Sequence, residues 1–197
     1  MDLLKKMNID TKYLKNIIEN HIELATEMLN QTDTILSICS QASAAIKKGN
    51  KIIFCGNGGS ASDSSHLAAE LVGRFEKDRD GIPAISLTEN SSNITAIAND
   101  YGFDKVYSRQ LESLGDKGDI LIAISTSGNS PNVIEAIKKA NELEIKCFGL
   151  TGNDGGLMTS SNCKELLIIN SNSTARIQEL HILFGHILCQ YIESQYI

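Results

Sequence analysis

Lys51–Ser65 reads KIIFCGNGGSASDSS, and Asp119–Ser130 reads DILIAISTSGNS. Each is a short apolar run of β character that breaks into a Gly/Ser/Asn-rich turn and then feeds an amphipathic helical pattern. A strand ending in such a turn at a helix N-terminus leaves several backbone N–H groups unpaired and pointing one way. The helix dipole adds partial positive charge at the same place, so the turn suits an anion, most often phosphate. One such loop says little. Two in one chain, both crowded with hydroxyl side chains, point to a phosphorylated small molecule.

Outward from these units the pattern alternates. The apolar runs IIF, AISL, ILIAI, CFGL and LLII read as strands, with helical patterns at 61–76, 92–114, 131–143 and 175–194. Strands separated by helices imply parallel pairing and right-handed crossovers. The expected fold class is α/β: a doubly wound, three-layer αβα sandwich around a five-stranded parallel sheet. In such sheets ligands bind beyond the carboxyl ends of the strands, where both Gly/Ser loops fall. Pro83 opens a strand, and Pro131 sits in the first turn of a helix, where its missing N–H costs nothing.

Residues 9–49 read as two helices forming an N-terminal hairpin. Asp10 or Thr11 can cap the first, whose apolar positions Leu14, Ile17, Ile18, Ile22, Leu24 and Met28 recur at helical spacing. Asp33 can cap the second, which runs through Ile35, Leu36, Ile38, Ala42 and Ile46 before stopping near Gly49. So many apolar positions exceed what one partner helix covers, so the hairpin is expected to pack in an oligomer. The expected division is a hairpin over 1–50, part of the same domain, and the α/β body over 51–197.

The chain has 197 residues, a single domain long enough to bury a full core. Its apolar content of 42% and charged content of 21% fit a globular rather than a disordered chain. The formal net charge of −6 argues against a nucleic-acid partner, which normally meets a basic excess. A phosphate ligand stays open, because oriented amides and a few local cations suffice for it. No apolar run is long enough to cross a membrane, and MDLLKKMNID lacks the apolar core of a signal peptide. A cytoplasmic protein with no membrane partner is expected. The cysteines Cys39, Cys55, Cys147, Cys163 and Cys189 are odd in number and form no CxxC, so reduced, buried thiols are expected. Cys55 ends the strand before the first loop, which leaves a nucleophile role open there.

In the first loop Gly56, Gly58 and Gly59 permit close backbone approach, while Asn57, Ser60 and Ser62 offer polar contacts. The spacing is not GxGxxG and no P-loop lysine follows, which weighs against a nucleotide. In the second loop Ser125, Thr126, Ser127 and Ser130 place four hydroxyls within six residues. Capping and turn formation need at most two of them. A phosphate or sugar contact is the expected use of the rest.

Two helices carry the candidates for chemistry. His66 and Glu70 are i,i+4 and so share one face, able to converge on an ion or a substrate. The last helix holds Gln178, Glu179, His181 and His186 in an otherwise apolar segment, and polar groups on a core-facing helix need partners. Gln178 and His186 lie eight residues apart, roughly 12 Å of helix rise. One metal with bonds of about 2 Å does not easily take both from a straight helix. Either the helix is irregular, or the two belong to sites shared between subunits.

The segments GNGGSASDSSHLAAEL, AIANDYGFD, ISTSGNSPNVI, LTGNDGG and ARIQELHILFGHIL together resemble the phosphoheptose isomerases, enzymes of the sugar-isomerase (SIS) domain family. The likeness spans roughly residues 10–195. It implies the SIS fold, with the isomerase domain over 51–197, and interconversion of sedoheptulose 7-phosphate and D-glycero-D-manno-heptose 7-phosphate. That reaction opens the synthesis of ADP- or GDP-heptose precursors for lipopolysaccharide or capsule. The resemblance further implies one zinc ion per subunit and a homotetramer with active sites at subunit interfaces. By motif, His66, Glu70, Gln178 and His186 would be the zinc ligands. Asn57, Gly58, Gly59, Ser60, Asn99, Asp100, Ser125, Thr126, Ser127, Ser130 and Gln178 would contact substrate, with Arg74 one turn beyond Glu70 as a further contact. Some family members carry Asp three positions before the Gln. Here that position is Ala175, so the contact is absent or has moved to Thr174.

Aldose–ketose isomerisation moves a proton between C1 and C2 through an enediol, and needs a base, an acid for the carbonyl oxygen and stabilisation of the oxyanion. Glu70 is assigned as base and His186 as acid, with zinc as Lewis acid. A zinc-bound carboxylate is a weaker base, so Glu70 would have to loosen from the ion. Whether the ion is catalytic or organises the site stays open. The rival reading is a non-catalytic SIS module that binds a replication-initiator protein, which would be expected to lose Glu70, His186 or Ser127.

Overall fold

The structure, a computed structural model, describes residues 9–196. Five strands form one sheet: β1 (Ile52–Gly56), β2 (Ala84–Ser86), β3 (Ile120–Ser125), β4 (Lys146–Gly152) and β5 (Glu165–Ile169). All neighbours pair in parallel, in the order β2-β1-β3-β4-β5. The chain therefore leaves β1 towards β2 on one side and returns to β3 on the other. This puts the topological switch point between β1 and β3, where Gly56 lies opposite Ile124. Both Gly/Ser loops thus start from adjacent strand ends.

The strands read as unbroken apolar runs because both faces of the sheet are covered. Ile52, Phe54, Ile120, Ile122 and Ile124 face one core, and Ile53, Cys55, Leu121 and Ala123 face the other. The first core is closed by α2 (Thr32–Ile46), α3 (Gly59–Val72) and α7 (Thr174–Tyr196). The second is closed by α5 (Val106–Leu114) and α6 (Pro131–Glu142), with α4 (Ser91–Tyr101) outside them. Pro131 stands at the start of α6 as expected. The helical pattern over 92–114 is split at Gly102, whose φ of +89° ends α4 before a short 3-10 turn leads into α5.

The N-terminal segment departs from the expected hairpin. Asp10 caps α1 (Thr11–Glu27) by accepting from the Tyr13 N–H at 2.8 Å. A 3-10 turn, Met28–Gln31, then joins α1 directly to α2, so the segment is one extended helical run rather than two helices reversed on each other. No glycine or proline stands between Glu27 and Thr32 to supply the turn that reversal needs. Asp33 accordingly sits in the first turn of α2 rather than at its N-cap, which is Gln31 without a side-chain bond. Both helices find their main partner in α7. Leu14, Ile18, Ile22, Leu29 and Leu36 stay exposed along α1, the 3-10 turn and α2, at spacings of four and seven residues.

All five cysteines are free thiols, four of them buried and Cys163 half-buried. Cys55 is fully enclosed, and burial pushes its thiol up to about 12. A thiol so far from ionisation is no nucleophile, which removes the role left open for it. Among the described residues no helix is long and apolar enough to cross a membrane.

Candidate active site

Gly58 takes the N-cap of α3 with φ +56° and offers no side-chain cap, so the amides of the first turn are left for another partner. Asn57, just before it, is fully engaged. Its carboxamide exchanges two 2.8 Å hydrogen bonds with Asn132 on α6. The Tyr107 hydroxyl donates to the Gly56 carbonyl at 2.5 Å and reaches Asn57 Oδ1 at 3.1 Å. Asn57 therefore shapes the loop from within. Ser60 is buried under it.

In the loop after β3, Ser125 Oγ and Ser130 Oγ lie 3.0 Å apart and share one hydrogen bond. Ser127 is exposed, and its Oγ accepts from the Asn129 N–H at 3.2 Å, which leaves its own proton free to donate. Gly128 turns with φ +66°. A Cβ there would strike the Gly155 carbonyl. The segment after β4 braces this loop, with Met158 N–H on Gly128 O and Leu157 N–H on Asn129 Oδ1, both at 3.0 Å.

A second level of the site lies between α3 and α7. His66 Nε2 faces His186 Nε2 at 3.0 Å and Glu70 Oε1 at 3.4 Å. The two rings meet edge-on with centroids 5.3 Å apart, and Phe75 lies against His186 at 5.7 Å. Gly185 makes the close packing of the helices possible, because a side chain there would overlap Leu67. Gln178 does not join this cluster. α7 is regular helix throughout Thr174–Tyr196, which removes the irregular-helix alternative and leaves Gln178 about 12 Å along the axis from His186. Its carboxamide instead fills the space over Gly59, where no Cβ would fit. Beside it stands Asp63, whose Oδ2 is buried without a hydrogen-bond partner among the described residues. Burial raises the Asp63 carboxyl above the usual carboxylate range, against the pull of Gln178, His66 and His186.

Residues 12–152 match the SIS domain family. Over 150 residues, 76% of this chain and 79% of the relative, the sequence is 57% identical to the phosphoheptose isomerase of Aliarcobacter butzleri (strain RM4018). Over 183 residues, 93% of this chain and 96% of the relative, it is 46% identical to that of Campylobacter concisus (strain 13826). The solved phosphoheptose isomerase of Neisseria gonorrhoeae superposes with a TM-score of 0.87 at 40% identity, covering 93% of this chain and 98% of that one. The chain belongs to the phosphoheptose isomerases of the SIS domain family.

For a phosphoheptose isomerase homologue the chain presents a site in two parts. The Gly/Ser loops, Asp63 and Gln178 form one level; His66, Glu70 and His186 form the other. Arg74 is exposed just past the end of α3, and Asn99 bonds to Asp100 (2.8 Å) on the exposed side of α4. Thr174 and Ala175 stand exposed in the first turn of α7. The other polar residues of α7 have structural partners: Glu179 meets His21 Nδ1 at 2.7 Å and Arg176, and His181 Nε2 meets Thr151 O at 3.1 Å. A cleft of about 590 Å³ on the α4–α5 side, lined by Asn93, Arg109 and Gln110 among others, contains none of the expected site residues.

Two imidazoles held on one tetrahedral zinc, with bonds of about 2.0–2.1 Å, have their nitrogens roughly 3.4 Å apart. The 3.0 Å between His66 Nε2 and His186 Nε2 is close to that, and the Glu70 carboxylate stands next to them. Among the described residues no group of three or more His, Cys, Asp or Glu forms a complete metal site. The chain thus offers a fitting but partial donor set, open to solvent at the 47%-exposed His66 side chain.

Asp63, Tyr107 and Asn132 escaped the reading of the sequence. Asp63 had a signal, since it precedes His66 by three and Glu70 by seven residues on one helix face. Tyr107 and Asn132 reach the first loop from 50 and 75 residues away, and no local pattern marks such a contact.

Proposed function

We propose that this protein interconverts sedoheptulose 7-phosphate and D-glycero-D-manno-heptose 7-phosphate as an aldose–ketose isomerase. The observation that carries this reading is the convergence of Glu70 and His186 on His66 from two helices, in a chain whose near-full-length relatives are phosphoheptose isomerases. The amides opening α3 and the hydroxyls of Thr126 and Ser127 hold the phosphate. Glu70 takes the proton from C1 of the ketose and His186 protonates the carbonyl oxygen, giving the enediol; Glu70 then returns its proton to C2 while His186 takes back the proton of the C1 hydroxyl, giving the aldose. His66, Glu70 and His186 would hold a zinc ion, which would supply Lewis acidity towards the developing oxyanion, and Glu70 would have to loosen from it to act as base.

The donor set of one chain is completed by Gln178 of another. The working unit is then an oligomer with shared sites, a homotetramer on the family resemblance, and the exposed stripe of Leu14, Ile18, Ile22, Leu29 and Leu36 gives it a surface on which to assemble. The cellular setting is the cytoplasm, and the product feeds heptose for lipopolysaccharide or capsule. The rival, a non-catalytic module bound to a replication initiator, needs Glu70, His186 or Ser127 to be lost, and all three are present. The deciding experiment incubates zinc-loaded protein with sedoheptulose 7-phosphate and follows aldose formation. Absence of aldose with folded, loaded protein overturns the reading.

A further inference from the structure

The segment between α3 and β2 is tied down by one buried ion pair. α3 stops at Val72, and the chain leaves helical geometry at Gly73 (φ −79°, ψ −101°). The carbonyls at the end of α3 thereby lose the amides a longer helix would give them. Arg79 supplies donors in their place. Its Nη2 donates to Glu70 O at 3.0 Å, and its Nη1 to Leu71 O at 2.9 Å, Gly73 O at 3.4 Å and Asp80 O at 3.0 Å. Its Nε donates to Glu193 Oε1 at 3.1 Å. Glu193 accepts in addition from the backbone N–H groups of Phe75 (3.3 Å), Glu76 (3.1 Å) and Lys77 (3.2 Å). The two side chains are 3% and 2% exposed.

Glu193 follows His186 by seven residues on α7, two turns along the same face. The pair therefore joins the end of the helix that carries Glu70 to the helix that carries His186. It also orders the segment that holds Arg74 and rests Phe75 against the His186 ring. We propose that Arg79 and Glu193 are positioning residues that set the placement of Glu70 relative to His186. This rests on the reading of those two as the proton-transferring pair. An apolar pair of similar volume often stabilises a fold as well as a buried ion pair does. What it lacks is directional bonds to the backbone around Glu70, and those are the substance of the proposal.

The test compares Arg79→Lys, which keeps the charge but loses the fork, with the double variant Arg79→Met/Glu193→Met, which leaves no unpaired buried charge. The double variant is expected to fold with a lowered melting temperature, because the backbone groups the pair served lose their partners, and to lose at least about tenfold in kcat with KM for the heptulose phosphate changed little, because small misplacements of reacting groups act on turnover. Arg79→Lys is expected to fall between the two. A folded double variant with wild-type kcat overturns the proposal. Amide exchange of the wild type decides the matter where the variants do not fold: Phe75, Glu76 and Lys77 should be protected like the core of α7, and exchange at the rate of an open loop overturns it. Should the wild type itself fail to isomerise the heptulose phosphate, the functional reading falls. The pair is then judged by crystal structures of wild type and double variant, in which unchanged Glu70 and His186 positions overturn it and a shift of the two supports it.

Discussion

His66 and His186 meet Nε2 to Nε2 at 3.0 Å across the contact of α3 and α7. A direct hydrogen bond there requires one Nε2 to be protonated and the other bare, whereas an ion drawn into the gap uses both lone pairs at once. The protein is accordingly expected to bind zinc, and His66→Ala and His186→Ala should each weaken it by more than the roughly 10–100-fold typical of losing an outer-shell partner. Calorimetric titration of the metal-free protein measures this without reference to turnover. Unaltered affinity in both variants would remove the imidazoles from the metal site.

Ser127 keeps a free hydroxyl proton on an exposed loop, and Thr126 stands next to it. Hydroxyls that grip a phosphate bind ground state and transition state about equally, so Ser127→Ala and Thr126→Ala should raise KM more than they lower kcat. Steady-state kinetics with the heptulose phosphate separate the two. An unchanged KM would take both residues out of the phosphate site.

His181 is 1% exposed, and burial depresses its imidazole to about 4 from an ordinary 6.5. The fold thus holds the ring neutral, while the unfolded chain protonates it near pH 6.5. Its contribution is fully present above that pH and is lost as pH falls towards 4, amounting to about 2 kcal/mol between pH 7 and pH 5. Denaturant titrations at the two pH values, on wild type and His181→Gln, measure this. The wild type should lose more than the variant, and parallel losses would contradict the assignment.

The readability of the chain follows the range of its interactions. The strand runs and both Gly/Ser loops were legible because a doubly covered parallel strand is apolar at every position and a phosphate turn needs its glycines locally. The break at Gly102 was missed, because the apolar pattern over 92–114 reads as one helix, although a glycine inside it is a possible helix end. The N-terminal hairpin was misread because two apolar helical patterns were assumed to have a turn between them, although residues 28–31 hold neither glycine nor proline and continue as a 3-10 turn. The clamp of Arg79 on Glu193 spans 114 residues, and His66 meets His186 across 120. Only packing brings such pairs together.

The stripe of Leu14, Ile18, Ile22, Leu29 and Leu36 runs exposed along α1, the 3-10 turn and α2. Burying one such side chain is worth about 1.5–3 kcal/mol, so five in register suffice to hold subunits together. Ile18→Glu combined with Leu29→Glu should shift the protein towards a folded monomer in light scattering. A monomeric wild type with full activity would contradict both the assembly and the shared site.

Subunit mixing then tests which chain supplies each residue. Glu70 and His186 of one chain both lie beside the same His66, whereas Gln178 of that chain stands at the other level of the site. Glu70→Gln and His186→Ala should each lower turnover by about 10²–10⁴ while the fold remains intact. Mixing these two inactive proteins and letting subunits exchange should restore nothing, because every site takes both residues from one chain. Mixing Gln178→Ala with His186→Ala differs: a site built from the His186 of one chain and the Gln178 of another escapes both defects. Random exchange in equal amounts makes about a quarter of the sites whole. Recovery in the second mixture and silence in the first would place the subunit boundary between Gln178 and the His66–Glu70–His186 cluster. Recovery in the first would separate Glu70 from His186 and overturn the site as it is built here.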